Sequence, residues 1–384
     1  MFNRSLLRSR VFHRLYALEI VLDATKASFI DKIREELAFD AESGEKLSKE
    51  DHKEVSNKEI KKFQEYVKLN AVGKKEESAL AGECFKDFKG QVREETVRAR
   101  KNLIESTEAI QSTYYIILDL LAEFGEFGDK IEREKQGALP TGSKRTNPYK
   151  NLRSNKYFQF LTSHKPFIKK GLINWQKEND CLRSVFLDSI KNDEDFKKYL
   201  VIEKPKKAQD KEILLHLISE RVFKNQAFNT LFEDRFITWF QERNVVRSMV
   251  RKFIKNLEPQ KSEFVHISLT SNWDDDKEFF LNLWDVSLKD WEENDGFLSK
   301  MAKNWDSDRI ALTDKALIIM GMSELVHFPS IPIKVTINEY IELSKKYSTP
   351  KSKSFVNGVL DKVSGKWVKS GKIKKSGRGL IDNK

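Results

Sequence analysis

Residues 313–363 read TDKALIIMGMSELVHFPSIPIKVTINEYIELSKKYSTPKSKSFVNGVLDKV, three helices with their punctuation between them. Thr313 is placed as an N-cap and Asp314 in the first turn, where a carboxylate favourably opposes the helix dipole. Ala316, Leu317, Ile318, Ile319, Met320, Met322, Leu325 and Val326 then make a helix apolar on nearly every side, which only the middle of a bundle can accommodate. After a loop over Phe328 to Ile331, Pro332 sits where a proline at the first helical position is tolerated. The next helix sets Ile333, Ile337, Tyr340, Ile341 and Ser344 on one face, with Glu339, Glu342, Lys345 and Lys346 mostly on others. Thr349 with Pro350 repeats the cap-plus-proline start, and Phe355, Val356, Val359, Leu360 and Val363 form the stripe of a last helix.

The same reading extends outward to an all-α chain. No proline precedes Pro140 and no glycine lies between Gly171 and Gly296, so the strongest helix breakers are missing from long stretches. Leu7, Val11, Leu15, Leu18 and Leu22 recur at the spacing of a buried helical stripe. From Ala24 to Gly90 the chain turns rich in lysine and glutamate, with scattered Phe29, Ile33, Leu37, Ile60, Phe63 and Val67, a marginal helical segment. An amphipathic stretch from Val92 to Glu134 ends at Gly137, and Gly137 to Asn155 reads as a polar, basic loop. Further helical patterns fill 156–257, such as Ile213, Leu214, Leu217, Ile218 and Val222, broken near Pro205 and Pro259. Beyond Val363 lysines, glycines and serines predominate, predicting a basic disordered tail over 366–384.

Composition narrows the class. With 39% hydrophobic and 34% charged residues the chain can fill a core, and it has no apolar run long enough to span a bilayer. His13, Arg14 and Glu19 interrupt what would be the apolar region of a signal peptide, so a cytoplasmic, non-membrane protein is expected. Cys84 and Cys181 lie far apart without metal-ligand neighbours, predicting neither disulfide nor zinc. A formal net charge of +11 favours a polyanionic partner, although lysine-rich solvated helices give the same total.

The order Trp305-Asp306-Ser307-Asp308-Arg309, Asp314-Lys315-Ala316, Glu324-Leu325, Ile331-Pro332, Ile337-Asn338-Glu339, Glu342-Leu343 and Phe355-Val356-Asn357-Gly358-Val359-Leu360-Asp361-Lys362 resembles the NusB family of transcription antitermination factors. Asn3-Arg4, Leu7, Arg8, Val11 and Leu15-Tyr16-Ala17 look like that family's arginine-rich first helix. The resemblance implies a fold of two small helical bundles, with 1–23 as first helix, 24–263 as an inserted helical region, 264–365 as the remaining core and 366–384 as the tail. It also implies a factor of the transcription elongation complex, with no cofactor, that pairs with the ribosomal protein NusE. Together they would hold the boxA element of ribosomal RNA.

Arg4 and Arg8, and Arg10 and Arg14, stand one turn apart, and guanidinium forks suit phosphate oxygens. Solvated charge is the plain alternative; the family's basic first helix favours phosphate contact. Arg309 is expected to support RNA or a carboxylate, and Trp305 to be core. Ser352 and Lys353 would add phosphate donors at the start of the last helix, where Phe355 either stacks a base or packs in the core. Asn357 and Gly358 read as scaffold, the glycine marking a close helix approach. Where the family often carries an acidic residue before its Ser-x-x-Phe, Pro350, Lys351 and Lys353 stand here, predicting stronger non-specific affinity and steeper salt dependence.

No enzyme motif is found: there is no Gly-rich phosphate loop after a strand, no Gly-x-Ser-x-Gly and no His-Glu-x-x-His. Asp274-Asp275-Asp276 follows Trp273 as a helix start rather than a metal site. Two other classes stay open: a helical protein-interaction scaffold, which the large insert would suit, and an RNA methyltransferase-associated targeting module. The second is disfavoured because the NusB-like motif runs to the end of the chain.

Overall fold

The computed structural model describes residues 3–38, 48–70, 79–137, 147–165, 173–261, 263–264, 270, 272–301 and 310–383. All its regular elements among these residues are helical. They are α1 (Arg4–Glu36), α2 (Lys49–Leu69), α3 (Ala79–Gly137), α4 (Lys150–Ser154), α5 (Lys156–Ser163), α6 (Asn179–Lys191), α7 (Glu194–Val201) and α8 (Lys207–His216). After a π turn over Leu217–Arg221 and a 3-10 turn over Val222–Lys224 come α9 (Gln226–Arg235), α10 (Trp239–Asn256), α11 (Trp273–Lys289) and α12 (Trp291–Met301). The chain closes with α13 (Leu312–His327), α14 (Ile333–Tyr347), α15 (Ser352–Lys369) and a 3-10 segment over Gly377–Asn383.

Two compact units divide the chain: Arg4–Glu105 with Asp274–Lys384, and Met1–Asn3 with Ser106–Trp273. The boundaries differ from the expected 24 and 264. Helix α1 passes Asp23 without interruption and continues to Glu36, because no proline or glycine occurs there to stop it.

In the first unit α13 is buried on nearly every side and packs against α1, α12, α14 and α15. The close approach falls at Gly321, where an added Cβ would lie 2.9 Å from Leu360 Cδ2 and 3.3 Å from Tyr340 Cδ2. Gly358 has open space instead, and with Asn357 it lies on the exposed face of α15, so the scaffold reading of that pair is corrected. Thr313 is not the cap: α13 begins at Leu312 behind Ala311, and the Thr313 hydroxyl is 3.2 Å from that of Ser348. Pro332 stands one residue before α14, within the usual margin of a helix boundary.

The lysine- and glutamate-rich stretch has a core of its own. Phe29 and Ile33 of α1, Ile60, Phe63 and Tyr66 of α2, and Ala81, Cys84, Phe85 and Phe88 of α3 form one buried cluster. Phe63 meets Phe88 edge to face at 5.7 Å and lies tilted against Phe29 at 6.1 Å. Helix α2 also has both ends satisfied: Ser48 accepts from the Asp51 N–H at 3.2 Å, and Asn70 closes the other end at φ 48°.

The expected flexible tail is instead packed. Gly371, at φ 73°, turns the chain back from α15, and the Ile373 N–H reaches the Trp367 carbonyl at 3.2 Å. Trp367 and Ile373 are buried, the Ser376 N–H donates to the Pro329 carbonyl at 3.0 Å, and a Cβ at Gly379 would collide with that same carbonyl. Trp367, Ile373 and Gly379, placed among the lysines, are packed where the segment docks.

The second unit centres on the C-terminal half of α3, with Tyr114, Ile117, Leu120, Leu121 and Phe124 buried. Part of the expected polar loop is the short α4. Asn155 then caps α5, accepting from the Tyr157 N–H at 2.9 Å while its amide donates to the Asp210 carbonyl at 3.0 Å.

Candidate nucleic-acid interface

The four arginines at the start of α1, Arg4, Arg8, Arg10 and Arg14, fall into different surroundings. Arg8 is 3% exposed, and its fork is taken by Glu324: Nε donates to Oε2 at 2.7 Å and Nη2 to Oε1 at 2.8 Å. The same carboxylate accepts from the Thr336 hydroxyl at 2.9 Å and the Tyr340 hydroxyl at 3.1 Å. Burial alone would lower the Arg8 pKa; the Glu324 charge more than offsets this and holds it above its ordinary value. Arg8 is therefore a core ion pair and not the phosphate contact expected of it. Arg4 is half exposed, 3.4 Å from Asp276 Oδ1, with its guanidinium 4.7 Å from the centre of the Phe279 ring.

The other two arginines belong to a positively charged patch. Arg10 is buried and Arg14 half-buried; burial, then the charge of Arg10, lowers the Arg14 pKa. His13 lies between them, pushed down to about 4 by burial and then by Arg10, Lys346 and Arg14. Like charges have been brought together here around one aromatic pivot. Tyr347, at the end of α14, stacks on Phe12 at 5.4 Å, receives the His13 edge at 4.4 Å and shares a 2.6 Å hydrogen bond with Ser9. Lys346 Nζ lies 4.9 Å from the Tyr347 ring centre.

The chain leaves Tyr347 directly for α15. Ser352 is buried and donates to Asp314 Oδ2 at 2.7 Å, with the Thr349 hydroxyl 2.8 Å away. It ties α15 to α13 and is not open to a phosphate, a second correction. Lys351 and Lys353 are exposed; the Lys351 side chain does not cap the helix, and the Ser352 and Ser354 N–H groups donate to the Thr349 and Lys351 carbonyls at 3.0 and 3.2 Å. Phe355 is half-buried beside a fully buried stripe of Val356, Val359, Leu360 and Val363. Trp305 and Arg309 lie outside the described residues.

Sequence reasoning passed over His13, Lys346 and Tyr347. His13 registered only as an interruption of an apolar stretch, and Lys346 as one of the polar residues of α14. The available signal was the pair Lys345-Lys346 in the last turn of α14, immediately ahead of the basic start of α15.

A family model described as the NusB family matches residues 241–365, beginning within α10. Three relatives bear the name Transcription antitermination protein NusB. That of Salinibacter ruber is 43% identical over 105 residues, 27% of this chain and 66% of its own length. That of Chloroherpeton thalassium is 39% identical over 28% of this chain and 50% of its own. That of Acetivibrio thermocellus is 38% identical over 126 residues, 32% of this chain and 87% of its own. The chain thus spans less than two thirds of the first two relatives and most of the third. A solved structure of T. maritima NusB covers 44% of this chain and 98% of its own at 23% identity, but with a TM-score of 0.24 it carries no weight for the fold. On the order of motifs from Asp314 to Lys362 and the coverage of the Acetivibrio relative, this chain belongs to the NusB family.

Proposed function

We propose that this protein is a non-catalytic, cytoplasmic transcription antitermination factor that binds boxA-type single-stranded ribosomal leader RNA together with NusE in the elongation complex. The observation that carries the reading is the positive patch around Tyr347. Beyond the effect of burial, Arg10, Lys346 and Arg14 stand close enough to His13 to lower its pKa, and Lys351 and Lys353 continue the charge to the start of α15. Like charges held together cost stability, and a phosphate backbone offsets that cost when it binds. Phe355 is the base-stacking candidate at the edge of this patch, where one stacked base is worth about 1–3 kcal/mol. Arg4 has a supporting place, since its Asp276 partner leaves it half exposed. The antitermination role comes from the relatives' names and family membership.

The test is binding of boxA-like and scrambled RNA, with and without NusE, at several salt concentrations. Tighter binding of boxA when NusE is present, weakened by Arg14→Ala and Phe355→Ala, is expected. Affinity indifferent to sequence, to NusE and to both substitutions would sink the reading. A protein-interaction scaffold has one observation in its favour: Ile237 and Phe240, in the 106–273 unit, are 101% and 73% exposed. It predicts NusE binding with no RNA dependence at all.

A further inference from the structure

The 106–273 unit holds a cleft of about 1030 Å³ along the last turns of α3. Gly125 and Gly128 of α3 let neighbouring aromatics approach its backbone: a Cβ at either would lie 2.7 Å from the Cβ of Phe158 or Tyr149. One turn beyond Gly128, on the same face, comes Glu132, which lines the cleft. Its side chain is 3% exposed, and among the described residues neither carboxyl oxygen has a hydrogen-bond partner. The other carboxyls of the cleft are engaged. Glu123 and Glu126 share the Lys165 ammonium at 2.8 and 2.7 Å, and Asp129 accepts from the Asn147 amide at 2.6 Å with Arg153 at 3.3 Å. A carboxyl withdrawn from water without a donor is costly and rare, so Glu132 calls for one.

The surroundings decide what kind. Phe158 and Trp175 border the cleft but are buried, their faces already stacked on Phe124 and Phe232, and the indole N–H donates to the Ile116 carbonyl at 2.9 Å, so the open group is the Glu132 carboxyl. A carboxyl with two open oxygens matches a guanidinium fork or an ammonium. An inorganic divalent ion needs several oxygens converging on one point. Among the described residues the only acidic or histidine group so gathered is Asp193, Asp195 and His216, elsewhere in the unit. There Asp193 is already taken by Arg221 and by His216 Nε2 at 2.6 Å, and it caps α7.

We propose that this cleft binds an organic cation, a guanidinium or primary ammonium group on an alkyl stem, with Glu132 as its ion-pair partner. The chemistry fits either a free small cation or the arginine side chain of a partner protein, and it does not depend on RNA binding.

Calorimetric titration of the full chain separates these sources, using agmatine in one arm and acetyl-Gly-Arg-Gly-amide in the other. One-to-one binding is expected, about tenfold or more weaker in Glu132→Gln and unchanged in Glu134→Gln, an exposed neighbour paired with Arg183. Tighter agmatine binding assigns the free cation, and tighter peptide binding assigns the partner side chain. Should Glu132→Gln fail to fold, Glu132→Asp keeps the carboxyl but withdraws it by one methylene and is expected to weaken binding severalfold. The proposal is overturned if neither probe saturates, if magnesium chloride displaces agmatine one for one, or if a folded Glu132 variant binds as well as the parent.

Discussion

Two buried glutamates show how differently the two units use the same side chain. In the unit that holds α13, Glu324 is fully enclosed and accepts from Arg8, Thr336 and Tyr340, so its charge is neutralised and both oxygens are hydrogen-bonded. In the 106–273 unit Glu132 is enclosed almost as well, yet has no donor among the described residues. The first is a finished internal joint. The second is an unfinished one, and burial by itself does not distinguish them: the donors do.

Removing Glu324 should therefore have the largest effect. Glu324→Ala leaves Arg8 buried beside an emptied site, a loss of about 3–5 kcal/mol in denaturant unfolding, whereas Glu132→Gln strands no partner and should change stability by about 1 kcal/mol or less. Equal losses would erase the contrast. Next comes Phe63→Ala, which truncates the aromatic centre of the α1–α2–α3 cluster at about 3–5 kcal/mol. Unfolding followed by several probes should then lose coincidence, because a region with a separate core can melt separately. A smaller loss, about 1–3 kcal/mol, is expected of Gly321→Ala, whose methyl group would press on Leu360 and Tyr340, while Gly358→Ala, facing open space, should be neutral or stabilising.

His13 supplies a pH test of the patch. Its folded pKa of about 4 lies below the ordinary 6.5, so the unfolded chain binds the proton more readily between these values. Stability is then lost as the pH falls from 6.5 through 4, and His13→Gln should flatten that acid limb; an unchanged limb would place the cause elsewhere. The smallest effect belongs to single lysines. Lys353→Ala should leave folding unaltered and reduce the salt slope of single-stranded RNA binding by about 0.7.

Much of this was readable in advance where the pattern was dense. Helix α13 announces its burial by being apolar all round, and the α15 stripe is regular enough to place Val356, Val359, Leu360 and Val363 inside. The division at Glu105 was hidden because α3 runs through it as one helix with no breaker to mark the change. Arg8 was misread as a contact although it stands three and seven residues before Val11 and Leu15 on the buried stripe, a position that demands a carboxylate partner. That partner, Glu324, lies over three hundred residues away, and no local rule points to it. The patch around Tyr347 was half visible: its arginines were noticed, but the lysine and histidine that complete it come together only through the packing of α1 against the end of α14.

The docked end of the chain carries a consequence for proteolysis. Lys372, Lys374, Lys375 and Arg378 make this stretch, by composition, the place where trypsin should cut first. Yet Ile373 is buried, Lys375 Nζ holds the Phe328 carbonyl at 3.0 Å, and Gly379 is fitted against Pro329. A protease needs an extended strand, and these attachments withhold it until the segment lifts away. The rate of the first tryptic nick thus measures how often the tail undocks, and a bulky residue at position 379 should turn a slow cut into a fast one.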